Sequence, residues 1–523
     1  MNSSTLMGLE YRIAGCWGSH ETSMLFWTSS ASILSLIYAY GTKFKDQASL
    51  YINNIISITF VFYIFIFANP FIQTSAQIKE GLGMNTSLQD SGMMIHPPML
   101  LFSYALMQLI YSVNLGAVIT GNIHSNIILL YLIRTAFGLL TLAISLGGWW
   151  AYRELGWGGY WFFDPVENIS LLTWILFFVY HHNFIPFPSS PKNYLLGMMP
   201  FLSVIFGTYL VRSGLLNSIH SFAESSGAII ILFIASCASI PFFYLLYKNT
   251  ETHYPSKLIR VGKYFWLTSA GVILISLIVP IFSPVSFEIS PGFFYSTLMP
   301  LMLASSSFAG LVYFGHDYVK NIIFLTIHIQ IFMILYFGIK VGFLYSLAYS
   351  CGLWIFNTSF IGLLRSAIGK SLGPKRLSMF LGHISIGLFI LSISFNNHFR
   401  ESHNFILTPK EEVMFRKNIH LTLEDVEYGH GGNYLEQKAR IKLSWSIPII
   451  AYLTPSLRYY PIEKSLSSEV SIFSTKYGDW YSVINNAQND TISVEISYQP
   501  AIGLIWISVI LCVCSILMRN FTK

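Results

Sequence analysis

The stretch Gly147–Ser170 gathers the residues of this chain best suited to hold a flat, polarisable ligand. It carries Trp149, Trp150, Trp157 and Trp161 with Tyr152, Tyr160, Phe162 and Phe163, interleaved with Gly156, Gly158 and Gly159. Aromatic faces stack on planar π systems, and glycines let backbone approach such a ligand closely. Arg153, Glu154, Asp164 and Glu167 add groups able to meet carboxylates on a ligand or to cap the following helix. The competing reading is an aromatic belt at a membrane interface, although a belt scatters its rings over many helix ends.

Four histidines stand where an iron-bearing planar ligand, a haem, would need axial ligands. His96 precedes Pro97 and Pro98, a pair expected to end an extended segment and to fix the angle at which the next helix starts. His220 follows an apolar run ending near Ser213. Both fall on the same side as the aromatic segment, which suits six-coordinate binding, whereas a lone surface histidine is usually without such a role. His182 and His383 lie inside apolar runs, roughly 22 Å below the outward boundary and roughly 8 Å above the inner one at 1.5 Å per residue. In a hydrocarbon core of about 30 Å these depths are similar. Intramembrane histidines are costly and therefore functional candidates. Interfacial snorkelling, favoured by His181 beside His182, is the alternative.

The elements that must position these residues are membrane helices. Of 523 residues, 54% are apolar and 10% charged, against about 25% charged in a soluble domain. About thirteen candidate spans lie near 24–40, 52–69, 98–119, 127–147, 167–185, 195–213, 228–247, 264–283, 297–314, 322–338, 343–363, 378–395 and 501–518. Residues 1–23 carry Glu10, Arg12, His20 and Glu21 without an apolar core, so no cleavable signal is expected there. One set of alternate loops holds Lys43, Lys45, Lys192, Lys248, Lys257, Arg260, Lys263, Lys320, Arg365, Lys370, Lys375 and Arg376, which assigns it to the cytoplasm or the mitochondrial matrix. The aromatic segment, His96 and His220 then face outward.

Between 396 and 500 the apolar spans stop, and short alternating stretches such as Ala439–Trp445 and Ser468–Phe473 read as strands. The chain thus divides into a helical bundle over 1–395, an external β-rich domain over 396–500, and a last span with its inner tail over 501–523. The fold class expected is an all-α polytopic membrane protein with that β domain inserted before the last helix. The net charge of +6 is spread over loops and one polar stretch, which argues against nucleic acid as a partner. Cys16, Cys237, Cys351, Cys512 and Cys514 form no Cys-x-x-Cys pair, so neither covalent haem attachment to this chain nor thiol redox chemistry is expected.

Trp157-Gly158-Gly159-Tyr160-Trp161-Phe162-Phe163-Asp164-Pro165-Val166-Glu167-Asn168 resembles the tryptophan-rich WWD signature of haem-handling proteins. Within that superfamily the chain resembles the CcmF family of membrane haem lyases. Leu88-Gln89-Asp90 leading to His96-Pro97-Pro98, Leu210-Val211-Arg212-Ser213-Gly214 leading to His220, Gly382-His383, and Leu453-Thr454-Pro455 to Arg458-Tyr459-Tyr460 with Glu469 match its motifs in order. The likeness runs from about 75 to 518. Tyr160 and Phe163 replace tryptophans usual in the family, and the N-terminal region is shorter than in typical bacterial members.

The resemblance implies a cytochrome c haem lyase that takes haem from a CcmE-type chaperone and attaches it to the Cys-x-x-Cys-His segment of apocytochrome c. CcmH-type subunits are implied as further partners. It implies His96 and His220 as axial ligands of the transferred haem, with Trp149, Trp150, Trp157, Trp161 and Asp164 as catalytic surroundings. It implies a haem b held by His182 and His383, with Gly158, Gly159, Tyr160, Phe162, Phe163, Glu167, Asn168 and Arg212 among the haem-binding residues. A haem transporter, a non-catalytic assembly scaffold and a system II attachment protein are the alternatives. The mitochondrial inner membrane is the expected location, suggested by abundant Phe, Ile, Tyr, Ser and Asn, with a bacterial plasma membrane as the alternative.

Overall fold

The computed structural model describes the chain except residues 1–2, 73–79, 122–124, 186–190, 217, 219–226, 248–256, 284–288, 313–317, 446–449, 489–490 and 522–523. A short amphipathic helix α1 (Leu9–Gly18) leads into α2 (His20–Gly41), α3 (Gln47–Phe67), α4 (Gly92–Thr120), α5 (Asn126–Glu154), α6 (Pro165–Phe184) and α7 (Pro191–Arg212). Then follow α8 (Ala228–Tyr247), α9 (Lys257–Phe282), α10 (Pro291–Val312), α11 (Tyr318–Met333), α12 (Phe343–Ile368) and α13 (Pro374–Phe399), with α14 (Ile502–Met518) near the C-terminus. Each expected span falls on one of the helices α2–α14. Among the described residues, eight helices are long and apolar enough to cross a membrane, and Leu325–Gly338 and Ile502–Met518 are shorter apolar helices.

The bundle is inverted relative to a soluble core. α4 is the most enclosed of the candidate spans, whereas α3 and α8 expose large apolar side chains such as Ile55, Phe62, Phe65, Phe233 and Phe243. Lipid tails are as apolar as these residues, so their exposure costs nothing in a bilayer. Inside the bundle, polar side chains pair with one another or with carbonyls. Gln108 donates to Ser57 (3.0 Å), Asn114 to Tyr180 (3.0 Å), and Thr173 meets Ser203 (3.0 Å). Without water, each such group left alone would cost several kcal/mol.

Between α13 and α14 the described residues form the strands β1 (Glu401–Leu407), β2 (Glu412–Arg416), β3 (Ile419–His430), β4 (Leu435–Trp445), β5 (Ile450–Leu453), β6 (Ser456–Tyr460), β7 (Ser465–Glu469), β8 (Ser471–Ser474), β9 (Gly478–Gln488) and β10 (Thr491–Pro500). One antiparallel sheet has the order β1-β10-β9-β8, the other β2-β3-β4-β6-β7 with β5 beside β4. Burial alternates along β10 and the first half of β3, the period-two pattern of strands with one face on a core. Leu421, Leu423, Ile441 and Leu443 of one sheet meet Ile492, Val494 and Ile496 of the other in that core. α13 continues to Phe399, so the sandwich starts a few residues later than the expected 396.

The sandwich sits against the end of the bundle where α5 ends and α6 begins. Gln499 of β10 and Arg400, just before β1, donate to the aromatic segment. The opposite end holds the short turn with Lys43 and Lys45 and the start of α13, and is called the basic end below.

Candidate functional site

α5 runs to Glu154, which makes Trp149 and Trp150 helical rather than part of a loop. The loop proper is Leu155–Asp164. Trp150 is buried, donates from Nε1 to the Ser87 carbonyl at 2.9 Å, and packs with Met84, Leu88 and Met93. Trp149 lies under the Arg153 guanidinium at 4.5 Å, and Arg153 pairs with Asp90 at 3.0 Å.

Within the loop, Trp157 is the exposed aromatic, at 46%, set edge-on against Phe162 with centroids 4.6 Å apart. Tyr160 packs edge-on against Trp506 at 6.1 Å, and Trp161 packs edge-on against Phe163 at 6.3 Å. Gly158 has φ +59, where a side chain is strained, and a Cβ there would lie 2.7 Å from the Arg400 guanidinium. A Cβ on Gly159 would lie 2.6 Å from the Phe162 ring. The close approaches expected of these glycines toward a ligand are thus made by the protein's own side chains.

Phe163 has φ 57, an expensive conformation for a bulky residue. It is held by a parallel stack on Phe294 at 4.8 Å and by the Asn168 side chain donating to its carbonyl at 2.8 Å. Asp164 and Glu167 form a capping box at the start of α6, with Pro165 in its first turn. Glu167 accepts from the Phe162 and Asp164 amides at 2.9 and 3.1 Å, and Asp164 accepts from Val166 at 3.1 Å. Of the two roles open to Asp164 and Glu167, meeting a carboxylate or capping the next helix, these bonds serve the cap.

His96 lies in the second turn of α4, which starts at Gly92 rather than after the prolines as expected. Pro97 has no N–H to give the Met93 carbonyl, and that carbonyl instead accepts from Trp17 Nε1 at 2.8 Å. The imidazole lies over Gly147 of α5, where an added Cβ would come within 2.9 Å of Cε1, and Nδ1 bonds the Ala143 carbonyl at 2.7 Å. A carbonyl only accepts, so Nδ1 carries the proton and Nε2 the lone pair. His182 and His383 repeat the arrangement, with Nδ1 on the carbonyls of Phe178 and Met379, both at 2.9 Å. This is the outer-shell pattern that fixes a ligating histidine. His20 is the reverse case: its Nδ1 faces Arg212, a donor only, so the proton sits on Nε2.

His220 lies outside the described residues. Ser218, two positions earlier, donates to Asp164 at 2.6 Å. Arg212, expected to bind a ligand, bonds His20 and donates to Ser23 at 3.0 Å, tying the end of α7 to the start of α2. At the far end, the ring of His182 packs on Phe178 at 4.1 Å, and His383 lies close enough to act on it electrostatically. Among the described residues no cluster of three or more His, Cys, Asp or Glu could hold a bare metal ion. A haem needs only two axial ligands.

Several residues at the bundle–sandwich seam carry the site without having been read as part of it. Arg458 bridges Glu436 (2.9 Å) and Glu469 (3.1 Å) and covers the Tyr434 ring at 4.4 Å. Gln89 donates to Glu463 at 3.2 Å and accepts from Asn433 at 2.9 Å. Burial pushes the Glu469 carboxyl up, against the pull of Arg458, and the charges of Glu436 and Asp90 push the same way. Gln89, Asp90, Arg458 and Glu469 all fall within the motifs quoted above. Nothing in the sequence paired them.

The helical bundle and the β-sandwich that clamps its aromatic loop each resemble proteins of cytochrome c assembly. Residues 17–216 match the family model described as cytochrome C assembly protein, and residues 399–500 match the CcmF C-terminal beta-sandwich. The chain is 27% identical to the cytochrome c-type biogenesis protein NrfE of Haemophilus influenzae, covering 99% of this chain and 87% of that one. It is 26% identical to the cytochrome c-type biogenesis protein CcmF of Escherichia coli, over 97% of this chain and 84% of that one. A solved structure, "Cytochrome c Heme Lyase CcmF", has the same fold at TM-score 0.80, with 18% identity over 98% of this chain and 84% of the other. The chain is thus similar to CcmF proteins over nearly its whole length.

Proposed function

We propose that the chain is a cytochrome c haem lyase, attaching haem through thioether bonds to the Cys-x-x-Cys-His segment of apocytochrome c. The observation that carries the reading is the shared tautomer of His96, His182 and His383. Each has Nδ1 on a backbone carbonyl, and so each offers Nε2 as a ligand. Two lie at the basic end of the bundle, and one lies beside the aromatic loop.

The chain has no Cys-x-x-Cys, so both thiols belong to the apocytochrome. Each S–H adds across one vinyl group of the substrate haem. The sulfur bonds one vinyl carbon, the hydrogen goes to the other, and no net oxidation occurs. His96 and His220 hold the substrate iron until the incoming histidine replaces one of them. Trp157, Trp161 and Phe162 supply the aromatic wall. Asp164, Glu167 and Asn168 fix the backbone that carries those rings. The residues at the basic end fit a resident haem b through His182 and His383 Nε2, and such a group would hold the substrate iron reduced. A CcmE-type chaperone as haem donor and CcmH-type subunits as presenters of the apocytochrome complete the reading. Its location is the mitochondrial inner membrane, with loop and sandwich facing the intermembrane space, as the composition and the basic loops support.

The test is a reduced-minus-oxidised and pyridine haemochrome spectrum of the purified protein beside His182→Ala and His383→Ala, with haem attachment measured in His96→Ala cells. A low-spin b-type signal lost in both membrane variants, and attachment lost in His96→Ala at normal protein level, are expected. A wild type that neither contains nor takes up haem would refute the electron-transfer part. Undiminished attachment in His96→Ala would refute the lyase role of the loop.

A further inference from the structure

We propose that Arg134, with Arg519, forms the anion-binding end of the His182/His383 site and takes the two propionates of the haem held there. The proposal rests on the haem reading above. Arg134 is only 7% exposed within α5. Its Nη1 donates to the Arg519 carbonyl at 2.9 Å, and its Nε has no hydrogen-bond partner among the described residues. Arg519 follows α14, and its charge acts on Arg134, His181 and His182 alike.

The packing puts these groups around one space. α14 presses on α5, where Leu517 lies 3.0 Å from a Cβ built on Gly138, and on α13, where Ser378 donates to the Ser515 carbonyl at 2.7 Å. Gly382, beside His383, would bring a Cβ to 2.9 Å from the Ser515 hydroxyl. Arg519 is one turn beyond Ser515 and so stands on the rim between α5 and α13. On the other side, His181 stacks on Phe137 at 5.4 Å. Arg134 precedes Phe137 by three residues, which sets it roughly 4.5 Å nearer the basic end than the histidine pair.

A guanidinium enclosed like that of Arg134 in a bilayer-embedded bundle is costly unless an anion joins it. Among the described residues no Asp or Glu forms an ion pair with Arg134. Between 168 and 400 the only acids are Glu224, Glu251, Glu288 and Asp317, none of them among the described residues. Asp46, the other carboxylate near this end, is engaged by Tyr38 and the Ser49 amide. A haem b would supply what is missing: iron for the Nε2 atoms of His182 and His383, and two carboxylates for the arginines. An anionic lipid phosphate could also meet the arginines, but it would leave the adjoining pair of preset histidines unexplained.

The experiment titrates the detergent-purified full chain with haem b and with its dimethyl ester, scoring the low-spin signal that His182→Ala abolishes. Wild type should bind haem about tenfold or more tightly than the ester. Arg134→Gln and Arg519→Gln should lose that preference while binding the ester as wild type does, and Arg134→Lys should keep most of it. Removing a cation should also lower the midpoint potential of the bound haem. Equal binding of haem and ester by wild type, with Arg134→Gln weakening both alike, would overturn the assignment and leave Arg134 as a cap on α14. So would variants unchanged toward haem but altered in retention of phosphatidylglycerol over phosphatidylcholine. A wild type that gives no low-spin signal with either compound would overturn the haem reading itself, and this assignment with it.

Discussion

Replacing Gly147 by alanine separates the stability of the bundle from the placement of His96. The new methyl would stand 2.9 Å from Cε1, 3.2 Å from Nδ1 and 3.4 Å from Nε2 of the imidazole. Carbon atoms in unstrained contact sit about 3.5–4.0 Å apart, so the ring must retreat by roughly 0.5–1 Å. Its Nδ1 bond to Ala143, 2.7 Å long, is anchored on the same helix as the intruding methyl and cannot follow. Stretched by that amount it reaches the limit of a hydrogen bond, a loss of about 1 kcal/mol together with the bias toward the ligating tautomer. Alanine gains about 1 kcal/mol over glycine inside a helix. The melting temperature of Gly147→Ala should therefore match or exceed that of wild type. The His96-dependent part of haem binding, read from Soret titrations beside His96→Ala, should weaken about fivefold, since 1.4 kcal/mol is a factor of ten. Unchanged haem binding in Gly147→Ala, with His96→Ala defective, would refute the idea that the glycine sets the ring. A large fall in stability would refute it equally.

Glu167→Ala should free the Phe162 and Asp164 amides and cost about 2 kcal/mol of loop order, seen as faster hydrogen exchange over 155–164 and weaker haem attachment. Glu167→Gln keeps an acceptor and should recover most of the attachment, as a capping box tolerates either residue; equal defects in both would point to a charge role instead. At the seam, Glu436 and Glu469 should show opposite pH slopes. Burial pulls Glu436 up, but the Ser456 and Arg458 bonds outweigh it and lower its pKa, so its contribution is present above the ordinary carboxylate value and lost as pH falls. Glu469 is raised, chiefly by burial, so its contribution is present below that value and lost as pH rises. The stability lost in Glu436→Gln should thus grow from acid to neutral pH, while that lost in Glu469→Gln should shrink, as thermal melts at several pH values would show.

How much of this was legible varies with the range of the cause. The capping box Asp164-Pro165-Val166-Glu167 is local chemistry, and the start of α6 could be read directly from it. The spans were legible because lipid imposes their length and apolarity. Gly147-Gly148 reads as a break in sequence, yet α5 passes straight through it. The glycines are there to admit neighbours, the His96 ring at one and the Tyr160 carbonyl, 2.9 Å from a built Cβ, at the other. Pro97 and Pro98 were expected to mark the start of a helix that begins at Gly92. The carbonyl that Pro97 leaves open is taken by Trp17, 76 positions away. Arg212 bonds a histidine 192 positions away. No pattern within a window of sequence can announce partners at such separations.

The insertion point of the sandwich explains why its root is part of the site. Entry and exit strands must leave the bundle side by side, and Asn396 donates to the Pro500 carbonyl at 2.9 Å to hold them together. The residues just beyond that tie turn toward the loop: Arg400 donates to the Trp157 carbonyl at 3.1 Å, and Gln499 to the Gly158 carbonyl at 3.0 Å. Asp479 of β9 accepts from Tyr152 at 3.2 Å, and Tyr481 packs on the same ring at 5.3 Å. The loop that presents Trp157 therefore has one wall made by α5 and α6 and another made by the first and last residues of the insert. A sandwich joined by a flexible tether elsewhere could still fold, but the Trp157 and Gly158 carbonyls would lose their donors and the exposed indole its fixed direction. Any partner that bends the sandwich on its root would move the aromatic loop with it.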